Sequence, residues 1–138
     1  MFNSEEELVK HSLPFLVNEF NFNNNNIKYI EEPKGLFGRP DVILFNGNII
    51  AIEYKLKNWK QAMKQAYRYQ SFSEETYVLL DVDYALVAKN NLDEFKKFNI
   101  GLGAVDNEKI DFYFKPKLKH PFSEELMKRV LDMFNINS

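Results

Sequence analysis

One segment limits the fold more than any other, the stretch GRPDVILFNGNIIAIEYK at residues 38–55. Two apolar runs, Asp41–Phe45 and Ile49–Lys55, are separated by the pair Asn46-Gly47, which is the strongest short turn signal a sequence can carry. The segment therefore predicts two antiparallel strands joined by a tight turn, and the rest of the chain has to pack around this hairpin.

The hairpin carries charges at its open end, where an apolar pair of strands has no structural need for them. Asp41 begins the first strand, and Glu53 and Lys55 end the second. Glu53 and Lys55 are two residues apart, so they project from the same face of a strand. Antiparallel pairing brings Asp41 close to them. Two carboxylates beside a lysine suit a hard cation and a phosphate group, although a solvated strand end with a simple ion pair is equally compatible with this spacing.

The length of the turn decides whether these groups can meet. A two-residue turn pairs Phe45 with Asn48 and places Asp41 on the face opposite Glu53. A three-residue loop pairs Phe45 with Ile49 and places Asp41 across from Glu53, with Asn48 in the left-handed conformation that the loop requires. A bulge in either strand would have the same effect. A shared site therefore predicts an odd-length loop or a bulge, against the local turn signal.

The remaining pattern predicts a single α/β domain over residues 1–138, with a mixed sheet covered by helices. A first helix is expected at about residues 4–20, capped by Ser4 and kinked or split near Ser12 by Pro14. A second helix is expected at about residues 58–72, and a last one follows Ser123. The predicted order is a helix, three strands, a helix, a strand, a helix, two strands and a helix.

Composition narrows the function classes. The chain has no cysteine, which excludes disulfide frameworks and thiolate metal sites, and a formal net charge of −2, which argues against a protein that coats nucleic acid by charge alone. No apolar run approaches membrane length, and the acidic first ten residues lack a secretion pattern. A cytoplasmic protein without a membrane partner is expected.

The motif RPD, followed by eleven residues and then EYK, resembles the active-site motif of the PD-(D/E)xK nuclease superfamily. Its acids are Asp41 and Glu53, and its lysine is Lys55. The next helix carries Gln65 and Tyr69, which are similar to the glutamine-x-x-x-tyrosine element of RecB-like and related DNA-repair members. The resemblance covers about residues 4–80 and implies a restriction-endonuclease-like core of order α-β-β-β-α-β.

The resemblance also implies a chemistry, the hydrolysis of phosphodiester bonds, usually of DNA, with Mg²⁺ or Mn²⁺ as cofactor. It assigns Asp41 and Glu53 to the metal together with the backbone carbonyl of Tyr54. Lys55 corresponds to the catalytic lysine, and Gln65 is implied beside the site.

Many members of the superfamily add an acid from the first helix. Glu5 lies on the apolar side of the predicted helix, and its start is expected over the charged end of the hairpin, so Glu5 is the first candidate and Glu6 the second. Glu7 points away. All three are equally well explained as acids that complement the dipole at a helix N-terminus.

The second helix predicts a nucleic-acid contact. Its basic residues fall on the side opposite the core at steps of three and four residues, which could follow a phosphate backbone or form a solvated face. These residues are Lys57, Lys60, Lys64 and Arg68, and Arg39 before the hairpin could also reach a phosphate.

The sequence therefore predicts a metal-dependent nuclease that acts on DNA, in a restriction, repair or mobile-element role. The alternative is a non-catalytic module of the same fold that binds nucleic acid or docks a partner. A cutter of duplex DNA of this size is expected to form a homodimer, because one active site cuts one strand.

Overall fold

The chain folds into a mixed six-stranded sheet flanked by five helices in the part that the computed structural model describes, residues 2–21 and 27–136. No helix within those ranges is long and apolar enough to cross a lipid bilayer. The elements are α1 (Glu5–Phe20), β1 (Lys28–Glu31), β2 (Val42–Phe45), β3 (Ile49–Lys55), α2 (Trp59–Tyr69), β4 (Glu75–Asp81), α3 (Val82–Lys89), α4 (Leu92–Phe98), β5 (Gly101–Val105), β6 (Ile110–Phe114) and α5 (Glu124–Met133).

The strands lie in the sheet in the same order as in the chain, from β1 to β6. The pairs β1–β2, β2–β3 and β5–β6 are antiparallel, while β3–β4 and β4–β5 are parallel. Parallel neighbours need a crossover connection. Helix α2 supplies the first crossover, and α3 with α4 supplies the second.

Helices cover both faces of the sheet. On one face α1 packs its buried Leu8, Leu16 and Phe20 against strand residues such as Ile52. On the other face α2, α3, α4 and α5 form a larger cluster with strand residues of the opposite parity. The central residues of β3 and β4 are apolar because both faces of these strands are buried, whereas Glu53, Lys55 and Asp81 lie towards their C-terminal ends.

Helix α1 is continuous from Glu5 to Phe20, so the expected split near Ser12 does not occur. The hydroxyl of Ser4 accepts a hydrogen bond from the Glu7 amide, as predicted for the cap. Pro14 removes one backbone donor within the helix, but buried contacts on both sides of it hold the helix against the sheet.

The β2–β3 hairpin has the three-residue loop that a shared site requires, because Phe45 pairs with Ile49. The side chain of Asn46 closes the loop by accepting a hydrogen bond from the Asn48 amide at 3.1 Å. The prediction of a left-handed Asn48 is wrong. Gly47 takes the positive φ of 105°, since glycine has no Cβ to clash in that conformation.

Candidate active site

Asp41 lies immediately before β2, and the backbone turns there. Its amide donates to the carbonyl of Ile52 at 3.1 Å, and Ile52 is the residue that Val42 faces in the register. Two consecutive residues therefore face one, which is the pattern of a β-bulge. The carbonyl of Asp41 accepts a hydrogen bond from the Glu32 amide at 2.9 Å. Asp41 is thus hydrogen-bonded to both neighbouring segments, and it lies just before the first residue of β2 rather than inside the strand.

The Asp41 side chain extends the hydrogen bonding between β2 and β3 beyond the first residue of β2. One carboxylate oxygen accepts the amide of Tyr54 at 2.7 Å. This contact gives the backbone amide of a fully buried residue its hydrogen-bond partner. Tyr54 is therefore tied to the candidate site through its amide, and the metal contact of its carbonyl stays a prediction.

Glu53 is a buried carboxyl group, with 4% of its surface exposed. The hydroxyl of Tyr69 on α2 lies 2.5 Å from its Oε1 atom and 3.0 Å from the carbonyl of Arg39. A hydroxyl has one hydrogen, so it can donate to only one of these oxygens at a time. With Glu53 ionised, Tyr69 donates to it; with Glu53 protonated, Glu53 donates to Tyr69, which then donates to the Arg39 carbonyl.

Burial raises the pKa of both acids. It raises the pKa of Asp41 to about 6, with repulsion from Glu5 in the same direction and the Tyr54 amide and Lys55 opposing it. It raises the pKa of Glu53 to about 8, with repulsion from Asp41 as the next cause and the Tyr69 hydrogen bond opposing it. Burial and the repulsion between the two acids therefore disfavour their ionised forms. A bound cation would stabilise both carboxylates and lower both pKa values.

Lys55 ends β3 at the same place. Its side chain is 18% exposed, and its Nζ atom lies 4.0 Å from Oε1 of Glu5. The first-helix acid that reaches the hairpin lysine is thus Glu5. The second candidate, Glu6, extends outward and pairs with Lys10 at 3.7 Å.

An acidic cleft of about 470 Å³ opens between α1 and the end of β1. The sequence-based prediction did not include two of its acids, Glu31 at the end of β1 and Glu32 directly after it. The signal available was an acidic pair at the end of the strand that precedes the hairpin. Glu32 has a φ of 48°, an uncommon conformation for a residue with a side chain. The cleft is lined by Glu5, Glu6, Val9, Lys10, Glu31, Glu32 and Asp41.

Gln65 lies one helical turn before Tyr69, on the same side of α2. Its Oε1 atom is buried and has no hydrogen-bond partner in the described part of the chain. Tyr69 itself is held by the loop before the hairpin, since a Cβ added to Gly38 would lie 2.8 Å from its ring. A buried acceptor without a partner, one helical turn from the residue that contacts Glu53, favours a donor from a ligand or its bound water.

The predicted basic residues divide into two groups. The α2 group is exposed along one side of the helix and its approach, as expected, and comprises Lys57, Lys60, Lys64 and Arg68. Arg39 lies apart from them, because its guanidinium faces the acidic cleft and lies 3.9 Å from Oε2 of Glu32.

The carboxylates do not form a preassembled multi-acid cage. Among residues 2–21 and 27–136, no group of three or more histidine, aspartate or glutamate side chains is placed to hold a metal ion. Asp41 and Glu53 nevertheless fit Mg²⁺ or Mn²⁺, because Mg²⁺ is usually held by one or two carboxylates and keeps several waters. The burial of Glu53, the partial burial of Asp41 and the repulsion between the two carboxylates support this fit.

Comparison with known proteins adds evidence on the fold. No family model matches the chain, and no curated protein matches it. Among solved structures it is similar to the SPO1766 protein of unknown function from Silicibacter pomeroyi, with 16% sequence identity and a TM-score of 0.61. The match covers 91% of this chain and 82% of that protein. At this identity the similarity concerns the fold alone.

Proposed function

We propose that the protein is a metal-dependent nuclease that hydrolyses phosphodiester bonds of nucleic acid, with DNA as the expected substrate. The observation that carries the proposal is the placement of two acids, the buried Glu53 and the half-buried Asp41, beside Lys55 at the open end of one hairpin. The order of α1, β1, β2, β3, α2 and β4 agrees with that of a restriction-endonuclease-like core and supports the same proposal.

Each side chain has a role that follows from its contacts. Asp41 and Glu53 would hold Mg²⁺ or Mn²⁺, which supplies charge neutralisation at phosphate and an acidified water. Lys55 can donate hydrogen bonds to a scissile phosphate oxygen or to the attacking water. The hydroxyl of Tyr69 orients Glu53, and the free oxygen of Gln65 can accept a hydrogen bond from the same water.

A plasmid-nicking assay tests the proposal. We expect supercoiled DNA to be converted to open circles when Mg²⁺ or Mn²⁺ is present, and not in excess EDTA. Lys55→Ala should abolish the conversion. Lys10→Ala is the matched control, since Lys10 lines the acidic cleft next to Asp41 but pairs with Glu6. Equal activity of the two variants, or none in the wild type with any nucleic acid and either metal, rejects the proposal.

A second candidate function has its own supporting observation. Both acids already have protein partners, since Tyr54 donates to Asp41 and Tyr69 contacts Glu53. A non-catalytic nucleic-acid-binding module would keep such a closed arrangement. It predicts binding to nucleic acid without cleavage and no effect of Mn²⁺ on thermal stability.

A further inference from the structure

An aromatic surface lies on the outer side of α2, where this helix meets α4. Tyr67 is 48% exposed, and its ring lies edge-on to that of Phe98, with centroids 5.6 Å apart. Met63 and Lys64 complete an apolar groove of about 320 Å³ between the helices. We call this groove, with the lysines around it, the α2–α4 surface; it comprises Met63, Tyr67, Phe98, Lys60, Lys64 and Lys97.

Cations border the aromatic rings throughout this region. Lys97 lies 5.6 Å from the centre of the Phe98 ring, and Lys60 lies 5.7 Å from that of Trp59. At the end of α2 nearest Tyr69, Arg68 lies 5.8 Å from the ring of Phe37, which is 55% exposed. The exposed rings of Tyr67 and Phe37 and the half-buried ring of Phe98, each with a cation or another ring beside it, offer a base-stacking face next to phosphate contacts.

The opposite side of the candidate site has the reverse charge. The cleft between α1 and β1 is lined by the acids Glu5, Glu6, Glu31 and Glu32 and by a single lysine. A duplex over the Asp41–Glu53 pair has two phosphate backbones to accommodate, and one of them would face this acidic wall. A single strand that follows α2 has one backbone and avoids the acids.

We propose that the α2–α4 surface binds single-stranded nucleic acid. Bases stack on Tyr67 and Phe98, and phosphates contact Lys60, Lys64 and Lys97. Stacking is tolerant of sequence because every base has an aromatic face. The inference rests on the proposed nuclease function only where it concerns cleavage of the bound strand. Binding itself needs neither the acids nor a metal.

Fluorescence anisotropy in EDTA tests the binding without catalysis. The probes are labelled oligothymidylate and oligouridylate of about 15 nucleotides, and a hairpin duplex with the same number of nucleotides. We expect either single strand to bind at least about tenfold more tightly than the duplex at equal salt.

Substitution of the exposed ring locates the surface. Tyr67→Ala should weaken single-strand binding by about fivefold or more, because one stacking partner is lost, whereas Tyr67→Phe keeps the ring and should retain wild-type affinity. Tyr29→Ala is the matched control. Tyr29 is equally exposed, at 46%, but lies on β1, and its loss should change affinity less than twofold.

Three results would overturn the inference. They are a duplex affinity equal to or above that of the single strands, equal effects of Tyr67→Ala and Tyr29→Ala, and self-association through the groove without nucleic-acid binding. These outcomes are independent of the nuclease proposal. Cleavage without single-strand binding rejects only the α2–α4 surface, and single-strand binding in EDTA without cleavage in Mg²⁺ rejects only the enzyme.

Discussion

The hydroxyl of Tyr69 lies 2.5 Å from the carboxyl oxygen of Glu53, which joins α2 to β3 at the end of the hairpin. The same hydroxyl lies 3.0 Å from the Arg39 carbonyl in the loop before β2. One side chain therefore connects the helix, the buried acid and the segment that carries Asp41. The position of the acid pair depends on this contact, so it is the natural target for substitution.

Tyr69→Phe should keep the fold and loosen the site. The ring still fills its place against Gly38, but Glu53 loses its partner, which we expect to lower the free energy of unfolding by about 1–3 kcal/mol. The Tyr69 bond opposes the rise in the pKa of Glu53, so its loss should move any cleavage optimum to higher pH. Chemical denaturation and a pH–rate profile measure both effects. An unchanged pH profile would show that Tyr69 does not position Glu53.

Stability of the metal-free protein should depend on pH through Glu53. Its pKa rises from 4.5 to about 8 on folding, so between these values the folded protein holds a proton that the unfolded chain has lost. Stability should therefore fall as pH rises from about 5 to 8. Glu53→Gln cannot ionise and should be more stable than wild type at pH 8 by about 1–3 kcal/mol, because one pKa unit corresponds to about 1.4 kcal/mol.

Urea denaturation at pH 5 and pH 8 measures this difference, with Glu108→Gln in the exposed β5–β6 turn as the control. A Glu53→Gln variant that is no more stable than wild type at pH 8 contradicts the prediction.

Divalent metal should stabilise the folded protein at pH 8, where both acids are ionised once a cation is present. At a Mn²⁺ concentration about 100 times the dissociation constant, the gain is about 2.7 kcal/mol. Asp41→Asn and Glu53→Gln should each reduce this gain, while Lys55→Ala should retain it. Thermal unfolding with Mn²⁺, followed by addition of EDTA, provides the measurement. A gain that survives loss of both acids places the metal elsewhere.

Gly38→Ala should disturb the site through Tyr69. Gly38 has a φ of 86°, and an added Cβ would lie 2.8 Å from the tyrosine ring. Gly35→Ala is the matched control, because Gly35 has a φ of 84° and nothing within 4 Å of an added Cβ. Backbone strain is thus common to both, and any further loss of Mn²⁺ stabilisation in Gly38→Ala reports the contact with Tyr69. Equal behaviour of the two variants contradicts the expectation.

The lysines of α2 should contribute to nucleic-acid binding through charge. Replacing Lys60 or Lys64 with alanine should lower the slope of log affinity against log salt concentration by about one unit each, with any probe sequence. Lys109→Ala, in the β5–β6 turn, serves as the control and should leave the slope unchanged. Anisotropy measured at a series of salt concentrations provides the slopes. Unchanged slopes for both α2 variants would mean that these lysines face solvent and do not contact phosphates.

Much of the fold follows from local patterns in the chain. The capping residues Ser4 and Ser123 lie where the helices begin, and the extent of β3 is as predicted. The pattern predicts one helix between β4 and β5, whereas the structure has two, α3 and α4. The start of α3 depends on Asp81, which accepts hydrogen bonds from the amides of Asp83 and the distant Phe2.

The residues that lie together at the candidate site were predictable, but the hydrogen bonds between them were not. Asp41, Glu53, Lys55 and Glu5 could be named from spacing and resemblance, and the three-residue loop followed from the need for a shared face. The amide of Tyr54 and the hydroxyl of Tyr69 could not be assigned to particular acids. Such contacts depend on a bulge before β2 and on the distance between α2 and the sheet, which neither periodicity nor spacing determines.

The strand order has a consequence for how the protein is made. Each new strand of the sheet can pair with the one synthesised just before it, so the sheet can grow in the direction of translation. Helix α1 is the exception, because it precedes every strand in the chain yet packs against both β3 and β6. Its apolar side gains its full cover only after β6 emerges. The contact between Glu5 and Lys55 should therefore form late, so that a nascent chain does not yet have the complete arrangement of the candidate site.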